Sequence, residues 1–234
     1  MAFWITGDMH GDVIDLKWRI EKAKVPENSI ILVAGDVGLN YWLNKTDSKK
    51  KKTLTEFPYT FLFVHGNHEA RPHTVPGYVY TPGECGAGGG NFRQEKHPNL
   101  LFLEDGVHNI GGKSVLVMGG AYSIDKIHRL ATGNNWWKDE QMSPEWRESL
   151  DIVTYGMHYD IVVSHTCPYM ARPLERGLAF VDNATVDNTM EVFLEKIRQQ
   201  ITYDKWYAGH WHIDEIRKDS WGEVHFLYRD MVQV

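Results

Sequence analysis

Seven aspartate, asparagine and histidine residues directly follow short apolar runs in this chain. All of them are oxygen or nitrogen donors: Asp8, His10, Asp36, Asn67, His165, His210 and His212. Mixed imidazole and carboxylate ligands suit borderline cations, whereas Ca²⁺ and Mg²⁺ favour oxygen cages. We therefore predict two divalent metal ions, with Mn²⁺ as the first expectation and Fe, Zn²⁺ or Ni²⁺ as alternatives.

Two such ions side by side would support one particular reaction. Paired metals about 3.5 to 4 Å apart lower the pKa of a bridging water and hold both the attacking and the leaving oxygen of an in-line displacement at phosphorus. The set therefore predicts phosphoester hydrolysis by attack of a bridging hydroxide. A single structural metal site is the alternative that metal analysis would distinguish.

Five short runs rich in β-branched and aromatic residues place these donors. Each run is too short for a helix and ends abruptly in Gly, Asp, Asn or His, which predicts buried strands. The runs are Phe3 to Thr6, Ile30 to Ala34, Thr60 to Val64, Ile161 to Ser164 and Trp206 to Ala208.

The first half of the chain predicts a parallel sheet. A helix is expected from Asp12 to Lys24, because apolar residues recur there at helical spacing and Pro26 follows. A second helix is expected from Tyr41 to Phe57, which gives a βαβαβ order. In such sheets ligands bind outside the carboxyl ends of the strands, where the seven donors fall.

The second half predicts antiparallel structure and further helices. Gly111-Gly112 separates two short apolar runs and indicates a β-hairpin. Asn188 and Glu191 have the spacing of a capping box at a helix start. The expected elements are strands from Val107 to Ile110, Ser114 to Met118 and Val224 to Arg229, and helices from Pro144 to Met157 and Asn188 to Ile201. One mixed α/β domain over residues 1–234 is the expected organisation.

Five motifs in order carry a family resemblance over nearly the whole chain. They are Asp8-Met9-His10-Gly11, Gly35-Asp36, Gly66-Asn67-His68-Glu69, Ser164-His165 and Gly209-His210-Trp211-His212. Together they resemble the signature of the calcineurin-like metallophosphoesterases. The segment from Gly119 to Ser123, with Asp125 and Trp136-Trp137, is similar to the middle region of bacterial members.

The resemblance implies a fold and a role for each site residue. The fold would be a four-layer α-β-β-α sandwich of two mixed sheets flanked by helices. One metal would be held by Asp8, His10, Asp36 and His212, and the second by Asp36, Asn67, His165 and His210. Asp36 would bridge the two ions. His68 would face the substrate and protonate the leaving oxygen or stabilise its charge, as general acid chemistry requires.

The substrate class has several interpretations. Protein serine/threonine phosphatases usually follow Gly-Asp with Asp-Arg-Gly, whereas Asp36 is followed by Val37-Gly38-Leu39. Gly209-His210-Trp211-His212 is closer to phosphodiesterase-type members, although Gly66-Asn67-His68-Glu69 is phosphatase-like. Hydrolysis of phosphomonoesters or phosphodiesters is the main hypothesis. A serine/threonine-type protein phosphatase and a catalytically silent metal-binding scaffold are the alternatives.

Composition bounds the partners and the location. A net charge of −6 disfavours extended nucleic-acid binding. The apolar N-terminal run before Gly7 is too short for a membrane span or secretory segment. With only two cysteines, the chain fits a reducing compartment, so a cytoplasmic location is expected.

Some residues near the motifs have a second interpretation. Pro82 to Pro98, a Gly-rich mobile loop, and Tyr122 to Trp137 are expected to wall the pocket, so stacking against a nucleobase is one substrate hypothesis. Arg71 and Arg93 are candidate phosphate contacts. The other candidates are ambiguous or structural: Glu69 divides evenly between site support and local structure, Cys167 is taken as a buried thiol, and Lys49 to Lys52 as a solvated run.

Overall fold

The computed structural model describes residues 1–83, 89–176, 183–220 and 222–234. The described strands are β1 (Phe3–Thr6), β2 (Ile30–Val33), β3 (Thr60–Phe63), β4 (Val79–Thr81), β5 (Asn91–Arg93), β6 (Leu100–Leu103), β7 (Gly106–Ile110), β8 (Lys113–Met118), β9 (His158–Ser164), β10 (Thr202–Ala208), β11 (Glu215–Asp219), β12 (Gly222–Phe226) and β13 (Met231–Gln233). The described α-helices are α1 (Val13–Ala23), α2 (Lys45–Thr55), α3 (Lys126–Thr132), α4 (Pro144–Thr154) and α5 (Thr189–Gln200).

The strands form two mixed sheets. The first has the order β13-β1-β2-β3-β6-β5-β4, in which β1, β2, β3 and β6 are parallel and the outer strands antiparallel. The second has the order β11-β12-β10-β9-β8-β7, in which β12, β10, β9 and β8 are parallel. β11 and β7 close its edges in antiparallel pairs. The predicted parallel β1 to β3 core and the β7–β8 hairpin are both confirmed.

The central strands are apolar on both faces, which is typical of parallel strands buried on both sides. In β8, Val115 and Val117 pack between the two sheets, while Leu116 and Met118 pack on the opposite side against α4 and α5. The outer face of the first sheet packs against α1 and α2 through a third apolar cluster that includes Leu16. The three clusters separate four layers, so the predicted α-β-β-α sandwich is confirmed.

Helix α2 is shorter than predicted. It begins at Lys45 instead of Tyr41, because the Asn44 side chain accepts a hydrogen bond from the Thr46 backbone N–H and caps the first turn. The buried carboxylate of Asp47 accepts the backbone N–H groups of the two residues that precede Asn44. These N–H groups therefore lie outside the helix.

The predicted capping box at the start of α5 is wrong. The Asn188 side chain makes no capping hydrogen bond; it accepts from Arg172 Nη1 at 2.6 Å and donates to the Val186 carbonyl. Glu191 accepts instead from the Thr166 hydroxyl at 2.7 Å. Tertiary partners have replaced the local ones that the spacing suggested.

The segment from Pro82 to Pro98 is only partly a loop. Asn91–Arg93 forms β5 and pairs with β4 and β6, because Phe92 packs on the apolar outer layer of the first sheet. The rest of the predicted mobile loop includes residues 84–88, which lie outside the described residues.

The basic run from Lys49 to Lys52 is not wholly solvated. Lys51 is buried, and its Nζ donates to the Asn40 side-chain oxygen at 2.8 Å. Burial lowers the pKa of Lys51 to about 8. The solvated interpretation is therefore wrong at this one position.

Residues 1–83, 89–176, 183–220 and 222–234 contain no helix that is both long and apolar enough to cross a membrane. A single domain over residues 1–234 and a cytoplasmic location stay predictions.

Candidate metal centre

The predicted ligands lie at the carboxyl ends of central strands from both sheets. Asp8 follows β1, Asp36 follows β2 and Asn67 follows β3, whereas His165 follows β9 and His210 follows β10. Contacts cross between the sheets: the His210 backbone N–H donates to Asp8 Oδ1 at 2.9 Å, and His165 Nε2 lies 3.5 Å from Asp36 Oδ1. All seven predicted residues are therefore gathered at one rim of the sandwich.

Asp8, His10 and His212 form a first group, whose ligand atoms lie within 4.8 Å of one another. Asp8 Oδ2 is 3.2 Å from His212 Nε2 and 3.8 Å from His10 Nε2. The two Nε2 atoms are 2.9 Å apart. The His212 ring is stacked on Tyr228 at a centroid distance of 4.7 Å, which holds its orientation.

Asp36, Asn67, His165 and His210 form a second group. His165 Nε2 lies 2.9 Å from Asn67 Oδ1, and its ring centroid is 5.0 Å from that of His210. The Asp36 carboxylate stands between the two groups, since Oδ1 faces His165 and Oδ2 lies 4.0 Å from His10 Nδ1. This position suits a carboxylate shared by two cations.

The hydrogen bonds around the second group fit a bound cation. His165 Nδ1 contacts the Ala34 carbonyl oxygen at 2.8 Å, and because a carbonyl only accepts, this nitrogen carries the proton. The Asn67 amide nitrogen donates to Ser123 Oγ at 2.9 Å, which directs Oδ1 toward His165. His165 Nε2 and Asn67 Oδ1 thus present two lone pairs to each other. A spacing of about 3 Å is expected between neighbouring ligands of one metal.

The first group gives a matching signal. Asp8 Oδ2 is buried and has no hydrogen-bond partner among the described residues. A buried carboxylate oxygen without a partner carries the full cost of its desolvation, which a cation would remove.

The electrostatics favour an ionised aspartate and a neutral histidine. Burial opposes ionisation of Asp36, but nearby histidines, His165 foremost, outweigh it and hold its pKa below the usual range. Burial lowers the pKa of His210 to about 3. The Asp8 carboxylate, whose Oδ2 lies 3.2 Å from His212 Nε2, raises the pKa of His212. Asp36 therefore offers a full negative charge and His210 a free lone pair.

Four of the candidate ligands have left-handed backbone conformations, with φ of 49° at His10, 47° at Asp36, 65° at His210 and 52° at His212. For a residue with a Cβ this region costs roughly 1 to 2 kcal/mol. Such outliers cluster at functional sites, where the surroundings hold them. Their concentration here supports a ligand role for this rim.

Gly209 and Gly66, which precede ligands, leave no room for a side chain. A Cβ on Gly209 would lie 2.4 Å from Asp8 Oδ1, and one on Gly66 would lie 2.1 Å from Asp36 Oδ1. The glycines of the motifs thus let one ligand loop approach the carboxylate of another.

We expect Gly209→Ala to lower the metal affinity of the first group by about tenfold or more, comparable to the loss of a residue that orients a ligand. The new methyl group must displace the Asp8 carboxylate or the Ala34 carbonyl, whose oxygen would lie 2.7 Å from the added Cβ. Metal content after dialysis, measured by mass spectrometry, checks this.

Gly112→Ala is the control for Gly209→Ala. Gly112 has a φ of +84° but nothing within 4 Å of its Cβ position, so this variant should lose stability and retain its metal. Equal metal affinity in Gly209→Ala and the parent protein would contradict the packing argument.

Arg19, on α1, supports the first group, and its role could not be predicted from the sequence. Its buried guanidinium donates to the Asp8 carbonyl at 2.8 Å and to the Tyr228 carbonyl at 2.6 Å, and pairs with Asp15. It thereby holds the backbone of one ligand and the stacking partner of His212. The only sequence signal was the i,i+4 spacing to Asp15, which usually indicates a surface ion pair.

Glu69 lies beneath the rim. Its Oε1 accepts backbone N–H groups from Val37 at 3.3 Å and from Gly66 at 3.2 Å, so it ties together the loops after β2 and β3. Burial, followed by the charge of Asp36, raises the pKa of Glu69 to about 8. Of the two interpretations given for Glu69, support of the site and local structure, these contacts favour support of the site through its loops.

The two candidate arginines lie away from the seven ligands. Arg71 Nη1 pairs with Asp105 at 3.1 Å, and Arg93 is an exposed residue of β5. Neither is among the described residues that line the cavity beside the ligands. Cys167 is fully buried, and burial raises the pKa of its thiol, which agrees with a structural thiol.

A cavity of about 470 Å³ opens beside the ligands. Tyr122, Ile124 and Asp125 line one side of it, as predicted for the segment from Tyr122 to Trp137. None of the described residues between Pro82 and Pro98 lines this cavity, and residues 84–88 of that segment lie outside the described residues, so the second predicted wall stays a prediction. The described residues that line the other side are Arg172, Leu174, Arg176, Val186, Asn188, Glu191, Trp211 and Ile213.

A sandwich of this type, with carboxylate, amide and imidazole groups gathered where two sheets meet, defines the class of metallophosphoesterases. The chain belongs to the calcineurin-like phosphoesterase family, whose model matches residues 1–214. The family resemblance predicted from the five motifs is therefore confirmed.

Two solved structures resemble the chain along nearly its whole length. The crystal structure of TT1561 of Thermus thermophilus is similar over 100% of this chain and 97% of that chain, with 12% identity and a TM-score of 0.51, which supports the fold. The second is the crystal structure of phosphopantetheinyl hydrolase (PptH) from Mycobacterium tuberculosis. The alignment with it covers 97% of this chain and 90% of that chain, with 13% identity and a TM-score of 0.47. None of the curated proteins matches this chain.

Proposed function

We propose that this chain is a dinuclear metal-dependent hydrolase of phosphomonoesters or phosphodiesters. The observation that carries the proposal is the pair of ligand groups that share the Asp36 carboxylate. Asp8, His10 and His212 would complete the first metal site, and Asn67, His165 and His210 the second. Their oxygen and nitrogen donors suit Mn²⁺, with Fe, Zn²⁺ or Ni²⁺ as alternatives.

The bound metals would supply an acidified water and neutralise charge on the phosphoryl group. The protein supplies the rest. Its ligand loops are fixed by Glu69 and Arg19, so the donors need little rearrangement. His68 lines the cavity, its backbone N–H donates to Asp36 Oδ1 at 2.8 Å, and its ring centroid is 5.7 Å from that of His10. His68 would hold the phosphate and give a proton to the leaving oxygen.

The segment after Asp36 supports small phosphoesters over phosphoproteins. Val37 and Leu39 are fully buried in the apolar layer under α1 and α2. The phosphate-clamping arginine of serine/threonine phosphatases would have to stand in this segment. A serine/threonine-type protein phosphatase is therefore the weaker candidate.

Metal removal and reconstitution test the function. Treatment with a chelator is expected to abolish hydrolysis of p-nitrophenyl phosphate and bis-p-nitrophenyl phosphate, and two equivalents of metal per chain should restore it. Rates with Mn²⁺, Ni²⁺, Zn²⁺, Fe²⁺ and Mg²⁺ rank the metals, and the ratio of the two substrates separates monoesterase from diesterase.

Two outcomes would contradict the proposal. Stoichiometric metal without hydrolysis of either ester would indicate a scaffold. One ion per chain, with no response to added Mn²⁺, would indicate a structural site.

A further inference from the structure

Glu191 presents an unsatisfied carboxyl oxygen next to the cavity beside the ligands. Its Oε1 accepts the Thr166 hydroxyl at 2.7 Å, but Oε2 is buried without a hydrogen-bond partner in the part of the chain that the structure describes. Glu191 is 5% exposed and lines the cavity. A buried oxygen of this kind has a strong tendency to bind a ligand that brings an N–H or O–H donor.

The Trp211 side chain lies between the Glu191 carboxyl group and the candidate metal centre. Trp211 stands between two predicted ligands, and its Nε1 donates to Thr166 Oγ1 at 3.3 Å, the same hydroxyl that Glu191 accepts. Its ring centroid is 6.0 Å from that of His210. Trp211 and Ile213 both line the cavity, so an aromatic and an aliphatic side chain stand beside the predicted ligands.

Arg172 adds a donor on the same side. Its Nη1 donates to Asn188 Oδ1 and its Nε to the Tyr169 carbonyl, and the guanidinium lies 3.4 Å from the centre of the Tyr169 ring. Nη2 makes no hydrogen bond with the described residues. Arg172 is therefore held in place, and the described residues leave its Nη2 edge without an acceptor group.

We propose that this side of the cavity, formed by Trp211, Glu191 and Arg172, is a subsite for the base of a nucleoside phosphoester. This inference rests on the proposed function, because the phosphoryl group would occupy the metal centre. Trp211 would stack on the base, Glu191 would accept an N–H from its edge, and Arg172 would donate to a ring acceptor or carbonyl. A cavity of about 470 Å³ has the size of a small-molecule site.

Base-less and base-containing ligands separate this subsite from the metal centre. Isothermal titration calorimetry of the metal-loaded protein would compare methylphosphonate with non-hydrolysable 5′-phosphonates of adenosine, guanosine, cytidine and uridine. Methylphosphonate needs only the metal centre. At least one nucleoside phosphonate is expected to bind about tenfold more tightly or better, the size of one base-stacking contact.

Three variants test the roles of Trp211 and Glu191. Trp211→Leu and Glu191→Gln should each remove most of the nucleoside advantage while the affinity for methylphosphonate stays within about twofold; Trp211→Phe, which keeps an aromatic face, should retain it. Glu195→Gln, one turn further along α5, and Trp18→Leu, on α1, are matched controls outside the cavity lining. Both controls should bind nucleoside phosphonates as the parent does.

The possible failures are distinct. Equal affinity for nucleoside phosphonates and methylphosphonate, or an advantage that survives both Trp211→Leu and Glu191→Gln, would overturn the subsite while leaving the phosphoesterase proposal intact. If neither ligand class binds and aryl phosphoesters are not hydrolysed, the proposed function itself fails and the subsite with it.

Discussion

Asp36→Asn is expected to lower kcat/KM for aryl phosphoesters by about a thousandfold or more, the scale of losing a principal electrostatic contact. The carboxylate is buried, and its two oxygens face His165 and His10 in the two ligand groups. Asparagine keeps the size of the side chain but removes its charge and leaves only one ligand oxygen. We therefore expect fewer than one metal ion per chain after dialysis, instead of two.

A second buried aspartate provides the control for Asp36→Asn. Asp47 is also buried, but it accepts the Trp42 and Leu43 backbone N–H groups and lies outside the ligand set. Asp47→Asn should reduce thermal stability and leave both metal content and kcat/KM within about threefold, as expected for a distant site. If the Asp36→Asn protein retained two metal ions per chain and hydrolysed aryl phosphoesters at the rate of the parent protein, a carboxylate shared by two metals would be excluded.

The strand ends could be predicted because the physical signal is local. A run such as Phe3 to Thr6 is buried on both faces, so it is apolar up to its last residue, and Gly7 and Asp8 then interrupt it abruptly. β9 begins at His158 instead of Ile161, because its first residues are partly polar and pair with β10 near the surface. Apolar composition therefore located the buried ends of these strands and missed their exposed beginnings.

The substrate side of the cavity could not be predicted, because its residues acquire their roles only through tertiary contacts. The spacing of Asn188 and Glu191 matches a capping box, but the sequence does not show which group the Glu191 carboxylate will accept. In the structure it accepts the hydroxyl of Thr166, which is 25 residues away in sequence. Arg19 was similarly hidden, since an i,i+4 pair with Asp15 has the same appearance whether it is buried or exposed. Spacing identifies donors, whereas their partners depend on how the layers pack.

The motifs that contain the candidate ligands could be predicted from the sequence for a different reason. Left-handed backbone at His10, Asp36, His210 and His212 demands neighbours that tolerate tight turns, and so glycines stand close to these ligands in the sequence. These glycines in the sequence therefore indicate where the backbone of the candidate site turns tightly. The sequence does not record which candidate ligand faces which, and the position of the Asp36 oxygens, one facing His165 and the other His10, depends on how the two sheets pack.

His68→Ala is expected to leave two metals bound and to lower kcat by about 10² to 10⁴-fold, the range for loss of a general acid. His68 lines the cavity, but its ring is 5.7 Å from that of His10, and it belongs to neither ligand group. Metal analysis and steady-state kinetics measure the two effects separately. His73→Ala, an exposed histidine on the following segment, should change neither.

The leaving group decides whether His68 donates a proton or only binds phosphate. p-Nitrophenolate leaves without protonation, whereas an alkoxide needs a proton as the P–O bond breaks. A donor role therefore predicts that His68→Ala loses much more kcat on an alkyl ester than on a p-nitrophenyl ester, because only the alkyl reaction depends on the missing acid. Equal losses on both esters, with a raised KM, would assign His68 to phosphate binding instead, and loss of a metal ion would make it a ligand.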